Sequence, residues 1–488
     1  MLAAYPVVSL FQQNQSEIAL SVLWPSLGLA MATAVLLFAL FAAVTRSAAK
    51  AGVASSLVVV ALYYFELVSR DVSGLGLGDS RRVVLWLVLL AAGLAAALRT
   101  RRSLLTGVWA LTAFAVVLVV FPAAKVVSYR VAHPPVSISD PRLWPSTPQR
   151  ASISGGTAPD IYYIIPDDYA RSDVLKRYFH FDDSRFTSSL RRRGFVLSND
   201  VRSPYSKSEL NMASELNFDY LSRLPHILGP SSQDVLLVRK MIEDSRASRI
   251  LGSLGYRYIH LDSDNITFAG DNPNISRLAA PDNLTYLWLR DSLLRFVGTR
   301  FGFTDGATND RFRDSVRSAF RKLAATANLT GPKLVLFHTL MPHDPYIFGS
   351  QGQPVTFPDT SDTGHSTKFG MRYYVRQLQF VNHELLATVD AILAHSRTPP
   401  VIVIQSDEGF EALPEDWGEA AVRDMRVKGL YAAYLPGRAK ARLPRPLNTV
   451  NSFRLLFNRY FGTHYRLLPS ASYPELDQPY RFEAMRVR

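Results

Sequence analysis

Two stretches of this chain carry no charged side chain for longer than a bilayer requires. Ile18–Val44 is uncharged over 27 residues and Leu104–Ala124 over 21, against the roughly 20 apolar residues of a membrane-crossing helix. Between them lie two shorter apolar runs, Ala51–Phe65 and Val83–Leu98. Flanked by full spans and ended by charge clusters, they read as short membrane helices, giving about four spans at 18–44, 51–65, 83–98 and 104–124. Leu2–Phe11 is too short to cross and is expected at the interface or packed re-entrantly. A cleaved signal peptide does not fit, because the first apolar run lacks a basic leader and others follow it.

Beyond residue 125 the pattern changes. Residues 126–158 are rich in Pro and Ser and read as a linker. From residue 159 to 488, short apolar runs alternate with helical periodicity. Asp160–Pro166, Tyr256–Leu261, Lys333–His338, Val401–Gln405 and Leu430–Leu435 read as strands. Arg171–Arg193, the stretch after Ser208, Met371–His395 and Val450–Tyr460 read as helices. This alternation predicts an α/β domain with a largely parallel sheet, following an N-terminal α-helical transmembrane region.

Charge refines the picture. Arg46 and Lys50 follow the first span, and Arg99, Arg101 and Arg102 follow the third. Placing these loops in the cytoplasm, by the positive-inside rule, puts the large C-terminal domain outside. The net charge of +13 divides into +7 over residues 1–150 and +6 over the remainder. No basic tract is interleaved with aromatics, so no nucleic-acid partner is expected. The chain has no cysteine, which excludes a disulfide scaffold, thiolate metal sites and a cysteine nucleophile.

In open α/β sheets, ligands bind beyond the carboxyl ends of the strands. Three such ends are polar here. Asp167-Asp168 follows the first strand, Phe337-His338-Thr339 through Pro342-His343-Asp344-Pro345-Tyr346 closes another, and Ser406-Asp407-Glu408-Gly409 follows a third. Carboxylates gathered in this way suit a divalent metal. A fourth segment, Ser203-Pro204-Tyr205-Ser206-Lys207-Ser208-Glu209, opens a helix, and Ser206 with Glu209 has capping-box spacing. A hydroxyl in a helix's first turn meets the positive end of the dipole and free N–H groups, which favour a phosphate or sulfate. The same serines also suit a plain helix cap.

Taken together, these motifs in this order resemble the sulfatase-like membrane proteins of the alkaline phosphatase superfamily. Relatives include lipoteichoic acid synthases, phosphoethanolamine transferases and phosphoglycerol transferases. The resemblance implies that Asp167 is a metal ligand. It sets Ser208 where many relatives carry the nucleophilic threonine, as both metal ligand and attacking group. Ser206 and Ser203 stay open as alternative nucleophiles, since spacing within the cluster does not fix the register. Asp407 matches an acidic metal ligand, and His343 matches a histidine that contacts substrate or leaving group.

One departure from the pattern is Glu408, where the family's Asp-His-Gly has histidine. Glu408 as a carboxylate ligand gives an oxygen-rich site for one divalent ion, Mn²⁺ or Mg²⁺ before Zn²⁺. Alternatively it marks a domain that binds without catalysing. The implied activity is a membrane-anchored, metal-dependent head-group transferase or phosphodiesterase of phosphoglycerol or phosphoethanolamine type. Its partners would be the lipid membrane, a phospholipid head-group donor and an envelope glycan acceptor. The alternatives are a non-catalytic envelope binding or assembly protein, and a sulfatase. Ser146 fits the short pattern of a formylglycine-forming serine, but it precedes the first strand, where chance accounts for the match.

Overall fold

The computed structural model describes the chain except residues 72–78, 145–147, 154–157, 263–274, 278–282, 295–305, 356–367, 411–417, 438–441, 475–477 and 485–488. Ser146 therefore lies outside the described residues. The chain divides into two compact units, Met1–Pro135 with Ala280–Thr308, and Val136–Ala279 with Asn309–Arg488.

The first unit contains the helices α1 (Ala4–Gln13), α2 (Leu23–Thr45), α3 (Ala48–Tyr63), α4 (Phe65–Asp71), α5 (Asp79–Arg99) and α6 (Leu105–Ala132). Three segments, Leu20–Thr45, Arg81–Arg99 and Leu105–Ala132, are long and apolar enough to cross a membrane. The run expected at 51–65 forms α3, whose 16 residues span about 24 Å, short of the roughly 30 Å hydrocarbon core. The last apolar helix continues past residue 124 to Ala132, so the first residues of the expected linker are helical. Val127 and Val131 prolong its exposed apolar surface, Val126 joins the unit's core, and Arg130 donates to the Gln15 carbonyl at 3.3 Å.

Leu2–Phe11 was expected to lie flat or re-enter. Its residues form most of α1, which buries Val7 and Phe11 in a core with Tyr63, Tyr64, Leu284 and Trp288. The last two belong to the Asn283–Arg290 helix, so a segment far along the sequence packs within the first unit. Trp288 lies 4.6 Å from the Tyr63 ring, and the hydroxyls of Ser26 and Thr285 are 2.7 Å apart.

The second unit is built on a seven-stranded sheet. Its strands are β1 (Ile161–Pro166), β2 (Val196–Leu197), β4 (Arg257–Asp262), β5 (Ile275–Arg277), β6 (Lys333–Thr339), β7 (Val401–Gln405) and β8 (Tyr431–Tyr434), in spatial order β2-β8-β7-β1-β6-β4-β5. A separate pair joins β3 (Val201–Arg202) to β9 (Leu447–Asn448). The five strands from β7 to β5 run parallel, whereas β8 is antiparallel to both β7 and β2. The sheet is thus mostly parallel, as the alternation of elements predicts.

Alternate residues of each strand serve opposite cores. Tyr163, Ile165, Leu336 and Val403 pack with Leu210, Met212, Ala213 and Leu216 of the Ser208–Asn217 helix. Tyr162, Ile164, Phe337 and Ile404 face the other way, toward Leu378, Leu385 and Val389 of the Lys368–His395 helix. Both faces are covered, which is why the central strands read as unbroken apolar runs. The stretch Arg171–Arg193 was expected as one helix and is two, Ser172–Tyr178 and Ser184–Arg192. The break contains His180 at φ 52°, and Asp182 accepts hydrogen bonds from the N–H and hydroxyl of Ser184.

Candidate metal centre

Strand register brings the polar strand ends together. Ile164 pairs with Ile404 across β1 and β7, and the same register carried three residues onward sets Asp167 beside Asp407. On the other side of β1, Ile165 pairs with His338 of β6. Ile165 and Asp167 are two residues apart and share a face, so His338 belongs on the face that Asp167 and Asp407 occupy. The Ser208–Asn217 helix packs on that same face.

The candidate ligand atoms of Asp167, His338 and Asp407 lie within 4.8 Å of one another, and all three residues are buried. His338 Nε2 stands 3.7 Å from an Oδ2 of each aspartate. Asp407 Oδ1 accepts the Glu408 N–H at 2.8 Å, while Asp407 Oδ2 and Asp167 Oδ1 accept no hydrogen bond from the described residues. Burial, and then repulsion from Asp407, raises the Asp167 pKa from 3.8 to about 6, against a lowering by nearby His338 and His343. Two buried carboxylates with unused oxygens are unfavourable unless a cation joins them. The donor set fits a divalent metal, and one imidazole with two carboxylates admits Zn²⁺ or Mn²⁺.

Local hydrogen bonds hold these ends in place. The Ser406 hydroxyl accepts the Tyr169 N–H at 2.9 Å and reaches the carbonyls of Pro166 and Glu408 at 3.0 and 2.6 Å. Asp167 N–H donates to the Thr339 carbonyl at 2.9 Å, tying β1 to β6. Asp168 turns the chain with φ 60°, a left-handed conformation that Asp tolerates better than most residues. Its carbonyl accepts the Tyr374 hydroxyl at 2.8 Å.

Glu408, expected as a ligand, is buried but lies outside the three-residue cluster. His338 supplies the third donor. It stood in the polar segment ending β6, but it is the residue before the strand's last, and only cross-strand register separates it from the loop polar groups after it.

Gly409 is required by close approach. Its N–H donates to the Arg426 carbonyl at 2.7 Å, and an added Cβ would fall 1.9 Å from the Met425 carbonyl oxygen and 2.8 Å from that of Lys428. Gly409→Ala is therefore expected to destabilise the second unit by about 2–3 kcal/mol and to weaken metal binding by displacing Asp407. Thermal unfolding with and without metal checks both effects.

The serine cluster divides by environment. Ser203 is buried and structural: its N–H donates to Val427, its hydroxyl to the Tyr205 carbonyl, and its carbonyl accepts from Ser472. Ser206 is also buried. Ser208 is half-buried and is the first residue of its helix. The expected capping box does not form: Lys207 is the cap residue, without a side-chain bond. Glu209 instead pairs with Arg239 at 3.1 Å, because its carboxylate has a cationic partner on a neighbouring helix.

His343 is half-buried in the loop after β6, its Nδ1 2.7 Å from Asp344 Oδ1. Buried Gln377 fastens this loop, donating to the carbonyl of His343 at 2.7 Å and accepting the N–H groups of Ile347 and Phe348. Beneath the centre, Tyr163 donates its hydroxyl to Glu215 and receives the Gln405 amide at 2.8 Å; Gln405 in turn accepts from Ser452 at 2.6 Å. Gln377 and Glu215 sit in helical stretches whose periodicity marks them only as interior.

No family model matches the chain, and no curated protein matches it. Its structural neighbours include phosphoethanolamine transferase domains, sulfatases and members of the alkaline phosphatase superfamily. One is the C-terminal periplasmic domain of EcEptC from Escherichia coli in complex with Zn (TM-score 0.41, 12% identity, 64% of this chain and 86% of that chain). Another is the C-terminal periplasmic domain of the phosphoethanolamine transferase EptC from Campylobacter jejuni (TM-score 0.34, 13% identity, 57% and 79%). A third is a protein in the alkaline phosphatase superfamily from Vibrio parahaemolyticus (TM-score 0.39, 12% identity, 71% and 80%). At these scores the chemistry of the centre rests on its own residues.

Proposed function

We propose that the chain is a membrane-anchored, metal-dependent enzyme that cleaves or transfers a phospholipid head group outside the cytoplasmic membrane. The observation that carries this reading is the buried Asp167, His338 and Asp407 cluster on the sheet face covered by the helix that Ser208 opens. Asp167, His338 and Asp407 would hold one divalent ion, which when bound supplies positive charge for a phosphoryl group and lowers the pKa of a nearby hydroxyl.

The chain's own groups account for the rest. The free N–H groups at the start of the Ser208–Asn217 helix favour a phosphodiester anion. Ser208 Oγ attacks phosphorus and gives its proton to a solvent water; the phosphorus–oxygen bond to the diacylglycerol breaks, and His343 gives a proton to the departing oxygen. The resulting serine phosphodiester passes its group to water in a hydrolase or to an envelope glycan hydroxyl in a transferase. The membrane anchor favours a lipid donor by raising its local concentration. Basic residues after the first and third apolar runs support a multi-pass anchor with the second unit outside.

Full-length protein incubated with Mn²⁺ and fluorescent phospholipids of different head groups should release diacylglycerol. Ser208→Ala should lower the rate by about 10²-fold or more, with Ser206→Ala close to wild type. A rate that survives Ser208→Ala but not Ser206→Ala moves the nucleophile to Ser206. Glu408 in place of a histidine motivates a second reading, a binding protein on the same fold. No product from any lipid, in folded protein that binds no metal, supports that second reading and removes the first.

A further inference from the structure

The first unit carries an open cavity of about 420 Å³, walled by Met1–Ala3 and by α2, α3 and α6 through Ala34, Phe38, Gly52, Ser56, Leu111 and Ala115. We infer that it holds one acyl chain of a glycerophospholipid from the cytoplasmic leaflet, with the phosphate at the basic end of the same helices. This rests on the membrane orientation proposed above but not on the head-group chemistry, since every residue invoked lies in the first unit.

The walls exclude the other occupants. The hydroxyls of Ser55 and Thr112, which also line the cavity, donate to Gly52 and Val108 carbonyls of their own helices at 3.1 and 2.8 Å. Ser56 and Met1 add the other polar groups, and the remaining lining is apolar, which favours hydrocarbon over water. A helix with its side chains is about 10 Å wide and rises 5.4 Å per turn, so the volume accommodates about one turn and not a second copy's spanning helix. A flexible hydrocarbon chain fits. Two of the walls, α2 and α6, are long and apolar enough to cross a bilayer. Cavity residues Val35 and Leu111 are 61% and 40% exposed, so the space opens on the surface that hydrocarbon would cover.

Charge fixes the orientation of the lipid. Arg46 follows α2, Lys50 lies in the first turn of α3, and Arg101 and Arg102 precede α6. Lys50 Nζ donates to the Leu98 carbonyl at 2.8 Å, which brings the end of α5, and the bases after it, to the α2–α3 turn. The cavity thus has an apolar bore and cationic groups at one end, the two features that an acyl chain ester-linked to a phosphate head group matches.

The test uses the full chain reconstituted in vesicles of phosphatidylethanolamine and phosphatidylglycerol, with a trace of phospholipid carrying a mid-chain diazirine. Photolysis should label peptides from Gly52–Val59 and Val108–Ala115. Gly52→Phe should lower that labelling by roughly tenfold, because Gly52 lines the cavity and has open space where its side chain would begin. Gly107→Phe, equally uncrowded but outside the cavity lining, should leave it unchanged. Labelling that ignores Gly52→Phe, or that spreads evenly over outward positions such as Phe114 and Val117, overturns the inference. So does a cross-link to a second copy at these positions. If Gly52→Phe does not fold, native mass spectrometry of wild type decides: one retained phospholipid supports the inference and none overturns it.

Discussion

Asp407→Asn is expected to weaken metal binding by at least about 10²-fold, the upper end of what losing a mere supporting hydrogen bond to a ligand does. Turnover should fall by about 10³-fold or more. The substitution is nearly isosteric, and the asparagine oxygen can still accept the Glu408 N–H that Asp407 Oδ1 receives at 2.8 Å. The fold should therefore survive while the charge is lost. Without metal, the variant should be more stable than wild type, because Asp407 repels Asp167 across a buried space. With metal, wild type should gain stability and the variant should not. A pH series adds a readout that a structural defect would not reproduce. The Asp167 pKa of about 6 lies above the usual carboxylate value of 3.8, so protons compete with metal below about pH 6. Removing the Asp407 charge should move that competition to lower pH. Isothermal titration with Zn²⁺ or Mn²⁺ across this range checks it; an unchanged affinity would take Asp407 out of the ligand set.

The sheet was legible because its central strands are buried on both sides. Val401–Gln405 is a strand with the expected bounds, and Ile161–Pro166, Arg257–Asp262 and Lys333–Thr339 each differ from expectation by a residue or so. The candidate ligands were only partly legible. Asp167 and Asp407 follow their strands immediately, where polar residues after an apolar run stand out. His338 lies inside its strand, and its place in the cluster follows from pairing with Ile165, a relation between distant segments that no local pattern encodes. Glu408 was expected on adjacency to Asp407, and it is buried beside the three-residue group without being part of it. The membership of Leu284 and Trp288 in the first unit's core was equally hidden, since an amphipathic stretch states that it needs a partner without naming one. The antiparallel β8 belongs with these, because strand direction is set by the connection and not by composition.

Glu215→Gln is expected to flatten the loss of stability that wild type shows as pH rises from about 6 to 8. Glu215 is fully buried in the Ser208–Asn217 helix and receives the Tyr163 hydroxyl. Burial raises its pKa from 4.5 to about 8, with repulsion from Asp407 adding to the rise and hydrogen bonds from Tyr163 and Gln405 opposing it. Its folded pKa thus lies above its unfolded one. Between pH 4.5 and about 8 the folded chain holds a proton that the unfolded chain has released, so stability falls with pH across that window and levels off above it. The slope is about 1.4 kcal/mol per pH unit while the group is protonated only in the folded state. Asp167, with its pKa of about 6, is half-titrated at pH 6 and largely ionised by about pH 7, so the slope above pH 7 belongs mainly to Glu215. Glutamine keeps an oxygen for the Tyr163 hydroxyl and carries no titrating proton. Thermal midpoints of the metal-free full chain from pH 6 to 8 should descend less for the variant than for wild type, most clearly between pH 7 and 8, with the variant the more stable at pH 8. Equal slopes would show that Glu215 is ionised throughout. Metal should reduce the wild-type slope as well, because a cation beside Asp407 cancels the repulsion that helps keep Glu215 protonated. The helix that Ser208 opens is in this way coupled to the charge of the centre through its buried carboxyl group.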